Sequence, residues 1–146
     1  MKHVIKNCTV GISLLLCIPG LALANGPKGC KHDMLKGQYV FTAAGFSRAA
    51  DGSWFPKAIV EYMDVKGDGT LSVPAATIAN RTNDGAVVQQ PPGAVGAYSI
   101  NDDCTGTLQF TNGPSFNIFV APRGDEFWMI QTNPNNVLQG NVKRLW

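Results

Sequence analysis

Residues 94–132 read AVGAYSINDDCTGTLQFTNGPSFNIFVAPRGDEFWMIQT and hold four apolar segments of seven residues each, at 94–100, 105–111, 115–121 and 126–132. Their β-branched and aromatic side chains are typical of strands. The connections are rich in Asn, Asp, Gly and Pro, which tight turns prefer. Because connections this short join neighbouring antiparallel strands, the stretch predicts four strands paired in sequence order.

The same pattern of short strands and turns continues on both sides of this stretch. We predict strands over 37–46, 58–65, 70–79 and 137–145, and a brief one near Val87. Pro74 indicates a sheet edge or a β-bulge, because proline lacks the N–H that a strand ladder needs. Helix is expected only as a short turn near residues 34–36. The chain is therefore predicted to be all-β, an antiparallel up-and-down β-barrel of about eight strands, with a β-sandwich as the alternative.

The first 24 residues have the layout of a secretory signal peptide. Lys2 and Lys6 precede a short apolar run, and Ala22-Leu23-Ala24 places small residues at the expected cleavage site. We therefore expect residues 1–24 to be removed and residues 25–146 to form a single barrel domain, periplasmic or secreted. The apolar run is too short for a permanent membrane span, and no integral membrane segment is expected after signal removal.

The charge balance of the mature chain argues against a nucleic-acid partner. The full chain has 12 Lys and Arg residues and 10 Asp and Glu residues. Because Lys2 and Lys6 lie in the signal, the mature chain is close to neutral. A nucleic-acid binder needs an excess of basic residues on one face to neutralise phosphates.

Two cysteines, Cys30 and Cys104, follow the signal, and we predict that they form a disulfide. An even number of cysteines in an oxidising compartment most simply pairs in this way. A metal site or a catalytic thiol is the alternative, but the mature sequence has no CxxC motif and a single histidine, His32. We therefore expect no metal and no cofactor.

Several predicted strands are apolar on both faces. Phe116 and Phe119 lie on opposite sides of one strand, and Phe127 and Trp128 lie on opposite sides of the next. A barrel wall in water needs apolar residues only on its inner face. The outer face therefore needs a cover, either the polar segment at residues 25–33 that follows the signal or a second copy of the chain. Self-association as a homo-oligomer is the interpretation that we favour.

Two glutamates share a strand face with apolar residues. In ideal alternation Glu61 points the same way as Ile59 and Met63, and Glu126 points the same way as Trp128. A carboxylate directed into an apolar lumen has a raised pKa and can act as an acid or a base. The same pattern also suits a subunit interface, where an arginine would pair with Glu61. The sequence leaves the catalytic residues of any reaction unassigned.

Several short motifs resemble those of a group of small exported bacterial proteins of unassigned role. They are Gly37-x-Tyr39-x-Phe41, Asp68-Gly69-x-Leu71, Gly96-x-Tyr98-x-Ile100, Asp103-Cys104-Thr105-Gly106-Thr107 and Gly140. These proteins are similar to lipocalin-like and allene-oxide-cyclase-like barrels, and the resemblance covers most of the mature chain. It implies a barrel with a lumen, and no catalytic residue is carried over from it.

On this basis we predict a barrel that binds a small apolar or amphipathic molecule in its lumen. A cofactor-free isomerase or cyclase of the allene-oxide-cyclase-like type is the alternative, and a structural or interaction module with a filled core is the second. The residues leave open whether the protein is an enzyme. The predicted ligand-binding residues are Phe41, Glu61, Met63, Leu71, Tyr98, Phe110, Phe116 and Trp128. Glu61 or Tyr98 is expected to anchor the polar group of the ligand.

Overall fold

The computed structural model describes residues 26–80, 87–90 and 93–146. The predicted signal peptide lies outside the described residues. The described chain forms one 3-10 turn at His32–Met34 and nine strands. The strands are β1 (Lys36–Arg48), β2 (Trp54–Lys66), β3 (Thr70–Asn80), β4 (Val87–Gln90), β5 (Ala94–Ile100), β6 (Thr105–Phe110), β7 (Ser115–Val120), β8 (Glu126–Gln131) and β9 (Asn136–Arg144). None of the described segments is a helix long and apolar enough to span a membrane.

The strands close into an antiparallel barrel. Strands β5 to β9 pair in sequence order, β9 pairs with β1, β1 with β2, and β2 with β3. β3 completes the ring by pairing with β5 through residues 70–73 and with β4 through residues 76–79. Because β4 and β5 follow one another along the same edge of β3, the barrel has 8 strand positions. The predicted up-and-down barrel is confirmed, and the sandwich alternative is wrong because every position pairs on both sides.

Three connections share the sequence Asp-x-Ser or Asp-x-Thr, beginning at Asp51, Asp68 and Asp103. In each, the aspartate side chain accepts a hydrogen bond from the backbone N–H two residues later, at 2.9, 2.9 and 3.0 Å. The same carboxylate oxygen also accepts from the hydroxyl of that residue. These Asx turns set the residue at which β2, β3 and β6 begin, and therefore which of their side chains point inward.

A β-bulge changes the inward positions of β3. Val73 and Pro74 lie opposite Met63 of β2, between two stretches of regular pairing. Leu71 and Val73 are buried before the bulge and Ile78 is buried after it, so the inward positions change from odd to even numbers. The bulge predicted from Pro74 is confirmed.

The N-terminal leader, residues 26–35, closes one end of the barrel, which we call the leader end. The predicted disulfide joins Cys30 of the leader to Cys104 in the β5–β6 connection. The Tyr98 hydroxyl lies 3.0 Å from the carbonyl oxygen of His32 and 3.2 Å from that of Leu35. Leu35 itself is 1% exposed. A covalent bond, hydrogen bonds and apolar packing thus hold the leader in place.

Arg144 of β9 adds a hydrogen-bond network to the leader end. Its guanidinium donates to the carbonyls of Met34 and Gly124 at 2.7 and 3.0 Å and to the Tyr39 hydroxyl at 2.7 Å. The Tyr39 hydroxyl donates in turn to the Gly124 carbonyl at 2.7 Å. Burial raises the pKa of Tyr39, although Arg144 opposes this effect, so the phenol stays a neutral donor. The first and last strands are therefore joined to the leader by one network.

Side chains fill the half of the lumen next to the leader. They are apolar apart from the Tyr39 hydroxyl, and burying such surface is the main favourable term in folding. The residues concerned, each less than 2% exposed, are Leu35, Tyr39, Met63, Leu108, Phe127, Met129 and Val142. The opposite end of the barrel, which we call the mouth, is the end where space is found.

Candidate functional site

A cavity of about 320 Å³ lies in the lumen at the mouth, and we call it the mouth cavity. Its volume is at the small end of the range usual for small-molecule sites. Seven of the nine strands and the β6–β7 hairpin contribute to its lining. The lining consists of Phe41, Lys57, Ile59, Glu61, Ile78, Ala94, Phe110, Phe116 and Gln131, with hairpin residues 111–114.

Three phenylalanines form the apolar base of the mouth cavity. Phe41 and Phe116 meet edge to face with ring centroids 6.2 Å apart, and Phe110 and Phe116 do so at 6.3 Å. Such contacts hold aromatic rings in defined orientations. All three residues are buried, at 1%, 7% and 2% exposure for Phe41, Phe110 and Phe116. The cavity therefore has a fixed aromatic base.

Glu61 is the acidic group of this cavity. Alternation in β2 directs it inward together with Ile59 and Met63, as expected from the sequence. Its register neighbours are Phe41 on β1 and Ala76 on β3, so apolar side chains flank it on both sides. Burial raises the pKa of Glu61 to about 7. Near neutral pH this carboxyl group can therefore give up or accept a proton.

Lys57 and Gln131, two other polar groups of the cavity, were missed by the sequence analysis. Lys57 has the same inward orientation as Glu61 on β2, and burial lowers the pKa of its ammonium group. The side-chain oxygen Oε1 of Gln131 is buried and has no hydrogen-bond partner among the described residues. Strand alternation from Glu61 identifies Lys57, whereas Gln131 requires knowing which face of β8 points inward. Within residues 26–80 and 93–146, no three His, Cys, Asp or Glu side chains are placed to hold a metal ion.

The structure brings four of the predicted ligand-binding residues together in the mouth cavity: Phe41, Glu61, Phe110 and Phe116. Met63 is completely buried between the cavity and the leader end, and Leu71 is buried near the start of β3. Tyr98 also points inward, but its hydroxyl binds the leader carbonyls. Of the two predicted polar anchors, Glu61 is the one that lies in the cavity.

Trp128 lies on the outer face of the barrel, so its predicted inward orientation is wrong. It is 44% exposed and pairs with Phe119 of β7, whereas its neighbours Phe127 and Met129 are each 1% exposed. The physical reason lies in Glu126, which shares the face of Trp128. With this face outward, the Glu126 carboxylate reaches solvent and accepts a hydrogen bond from Asn141 at 2.5 Å. If β8 were turned so that Trp128 pointed inward, the Glu126 carboxylate would be buried at the filled end of the lumen.

A solved structure from the "De novo design of a fluorescence-activating beta barrel" is similar to this chain, with a TM-score of 0.44 and 12% sequence identity. The alignment covers 79% of this chain and 98% of the designed chain. No family model matches the sequence, and no curated protein matches it. The chain is thus described by its own architecture: a closed, antiparallel, eight-position barrel with a disulfide-bonded leader.

Proposed function

We propose that this protein is an exported barrel that binds a small apolar or amphipathic molecule in the mouth cavity. The observation that carries the proposal is the cavity itself: about 320 Å³, with an aromatic base and a few polar groups. This combination of an apolar lining with few polar groups is typical of small-molecule sites.

An exported location, periplasmic or secreted, is part of this proposal. The Cys30–Cys104 disulfide is compatible with an oxidising compartment, where such bonds form and persist. The signal-like residues 1–24 support the same location. A compartment outside the cytoplasm would give the barrel access to small molecules that enter or leave the cell.

A cofactor-free isomerase or cyclase is a second candidate, favoured by Glu61. A general acid or base works best when its pKa lies near the operating pH. Burial brings the pKa of Glu61 to about 7, and the carboxyl group lies among apolar side chains in a cavity of substrate size. A catalyst would need Glu61 to exchange a proton with the bound molecule, whereas a binding protein needs only a cavity that matches the shape of that molecule.

We expect Ala94→Trp to weaken binding of the fluorescent dye 8-anilinonaphthalene-1-sulfonate by tenfold or more. Ala94 lines the mouth cavity and is itself exposed, so an indole there occupies the cavity with little effect on the core. The measurement is a fluorescence titration of the folded protein.

The matched control is Ala97→Trp, which places the same side chain on an exposed position of β5 outside the mouth cavity. It is expected to leave dye affinity unchanged. An equal loss of dye affinity in Ala94→Trp and Ala97→Trp would overturn binding in the lumen. An absence of dye binding to the wild-type protein would overturn it as well.

We also propose that copies of the chain associate through the outer faces of β7 and β8. Phe119, Trp128 and Ile130 are 54%, 44% and 44% exposed and are adjacent in the register. Their register partners Asn117, Gln139 and Asn141 carry no charge, and Glu126, which shares this face, lies opposite Lys143 of β9 at the border of the patch. In a two-fold interface the same patch faces itself, so an apolar centre with opposite charges at its border meets little repulsion from its copy.

Trp128→Lys is expected to raise the dissociation constant of this association by roughly 30-fold, as loss of a central tryptophan often does. Sedimentation equilibrium over a range of protein concentrations measures the effect. Thr77→Lys, on an exposed position of β3 across the barrel from β7 and β8, is the control and should change the dissociation constant little. A wild-type protein that stays monomeric at all concentrations would contradict the proposal.

A further inference from the structure

Two side chains that can carry charge line the mouth cavity at different depths. Lys57 and Glu61 both point inward on β2, and Ile59 lies between them. A strand rises about 3.3 Å per residue, so their Cα atoms are roughly 13 Å apart along β2. β2 begins at the mouth with Trp54, and Met63, the next inward residue after Glu61, is completely buried. Lys57 therefore lies near the opening of the cavity, and Glu61 lies at its base.

Both groups can be reached by a molecule in the cavity. Among the described residues, neither the Lys57 ammonium nor the Glu61 carboxyl group has an ion-pair or hydrogen-bond partner. In this part of the chain, Gln131 Oε1 is the one buried side-chain polar atom that lacks a partner. The ammonium and the carboxyl group therefore both keep accessible surface, and Ile59 separates them from each other.

The lining of the cavity has a positive charge at its opening in mildly acidic solution. Burial raises the pKa of Glu61 to about 7, so at pH 6 most of its carboxyl groups are protonated and neutral. Burial lowers the pKa of Lys57, but pH 6 lies far below the ordinary lysine value of 10.5, so the ammonium keeps its proton. The described lining residues of β1, β3, β5 to β8 and the β6–β7 hairpin include no other titratable side chain. Above pH 7 the ionised Glu61 offsets the charge of Lys57.

This arrangement suits a molecule with an anionic head group and an apolar body. Phe41, Phe110 and Phe116 can hold the apolar body at the base, where Phe41 is the register partner of Glu61. At the opening, the Lys57 ammonium can donate charge-assisted hydrogen bonds to a carboxylate or a sulfonate. A cation would be repelled by Lys57 at the opening. Beside Glu61 it would have to lose its hydration among aromatic rings, and at pH 6 most of the Glu61 carboxyl groups would not compensate it.

We infer that the mouth cavity binds an apolar organic anion whose charged head group lies beside the Lys57 ammonium at the opening and whose hydrocarbon part rests on the three phenylalanines at the base. This inference rests on the proposed lumen binding and adds the class of ligand. The cavity volume of about 320 Å³ is roughly twice that of an apolar cavity known to hold benzene, so a two-ring hydrocarbon part matches it.

The test uses three probes that share one ring system: 2-naphthoate, its uncharged methyl ester, and 2-naphthylmethylamine, which is cationic at pH 6. Affinities at pH 6 are measured by titration calorimetry or fluorescence. We expect Lys57→Met to weaken 2-naphthoate binding about tenfold and to leave the affinity for the methyl ester unchanged. Lys57→Arg, which keeps the positive charge, should retain most of the 2-naphthoate affinity.

Lys66→Met is the matched control, because it removes the same charge from an exposed position at the leader end of β2. It should change no affinity. Since burial disfavours the charged form of Lys57, the Lys57→Met variant should melt at the same temperature as the wild type or higher. If Lys57→Met does not fold, Lys57→Gln removes the charge in its place.

Glu61 provides a second readout through pH. Raising the pH from 6 to 8 ionises Glu61, so wild-type affinity for 2-naphthoate should fall roughly threefold. The Glu61→Gln variant should show no such fall, because glutamine stays neutral. A wild-type affinity that is equal at both pH values, or a fall of equal size in Glu61→Gln, would overturn the charge balance on which the inference depends.

The outcomes separate this inference from the proposed function. If Lys57→Met weakens 2-naphthoate and its methyl ester equally, while Ala94→Trp weakens both, lumen binding stands and the anion inference is wrong. Tighter wild-type binding of 2-naphthylmethylamine than of 2-naphthoate at pH 6 also overturns it, and loss of that binding in Glu61→Gln would identify a cation site at Glu61. If none of the three probes binds, both the inference and the proposed function are wrong.

Discussion

Glu61→Gln is expected to stabilise the barrel by about 3 kcal/mol above pH 7 and to leave its stability unchanged near pH 4. Burial raises the pKa of Glu61 from its ordinary value of 4.5 to about 7 in the folded protein. Below pH 4.5 the carboxyl group is protonated in both the folded and unfolded states. Between pH 4.5 and 7 the unfolded state ionises first, so wild-type stability falls as the pH rises. Glutamine stays neutral and removes this loss.

The measurement is the free energy of unfolding in urea at pH 4 and pH 8 for the variant and the wild type. The contributions of other titrating groups to the free energy of unfolding largely cancel, because the two proteins compared differ in one side chain. Glu126→Gln is the control, since Glu126 lies on the outer wall beside Asn141. A Glu61→Gln effect that is the same at both pH values would contradict the burial of this carboxyl group in the lumen.

Removal of the Cys30–Cys104 disulfide is expected to lower the free energy of unfolding by about 4 kcal/mol. The two cysteines are 74 residues apart in sequence, and a cross-link over a loop of this length restricts the unfolded chain strongly. The bond also keeps the leader over the end of the barrel. The double variant Cys30→Ala, Cys104→Ala should therefore unfold at a lower urea concentration than the wild type.

Wild-type protein treated with a reductant is the first control and should show the same loss. Cys104 has a φ of +66°, in the left-handed region that favours glycine. Replacing it with glycine in place of alanine should therefore recover up to about 1 kcal/mol. A double variant within about 1 kcal/mol of the wild type would show that the other leader contacts suffice.

The architecture followed from local sequence features. Turn residues separate short apolar segments, and the side chains of Asp51, Asp68 and Asp103 accept hydrogen bonds that begin three strands. Pro74 marked the bulge in β3. The lengths of β1 and β2 were underestimated at the mouth, where β2 begins at Trp54 and includes Pro56. Lys57 is the first residue of β2 that pairs with β3. Pro56 precedes it and has no partner on β3, so it lies at an edge position, where proline is tolerated.

The orientation of β8 could not be read from its sequence. EFWMIQ is apolar at both odd and even positions, so alternation alone gives two equal choices. The choice depends on Glu126 and Asn141, which come together only when β8 and β9 pair. The error at Trp128 and the omission of Gln131 have this same cause, because both residues belong to that strand.

Position along the barrel axis was a second quantity that the sequence did not determine. Alternation correctly directed Tyr98, Met63 and Glu61 inward, but it gave no depth for any of them. Depth depends on the strand tilt and on which end the leader covers. The Tyr98 hydroxyl is taken up by carbonyls of the leader, and Glu61 is left as the acidic group at the mouth.

The covered leader end has a kinetic consequence. Among the described residues, side chains fill the leader end, so a molecule bound in the mouth cavity would depart through the mouth by which it arrived. Replacement of one occupant by another is then strictly sequential: the newcomer waits until its predecessor has gone. At saturation the exchange rate equals the departure rate of the first occupant, however concentrated the competitor. If the barrel binds a ligand as proposed, the residence time of that ligand, rather than its supply, would set the rate of exchange.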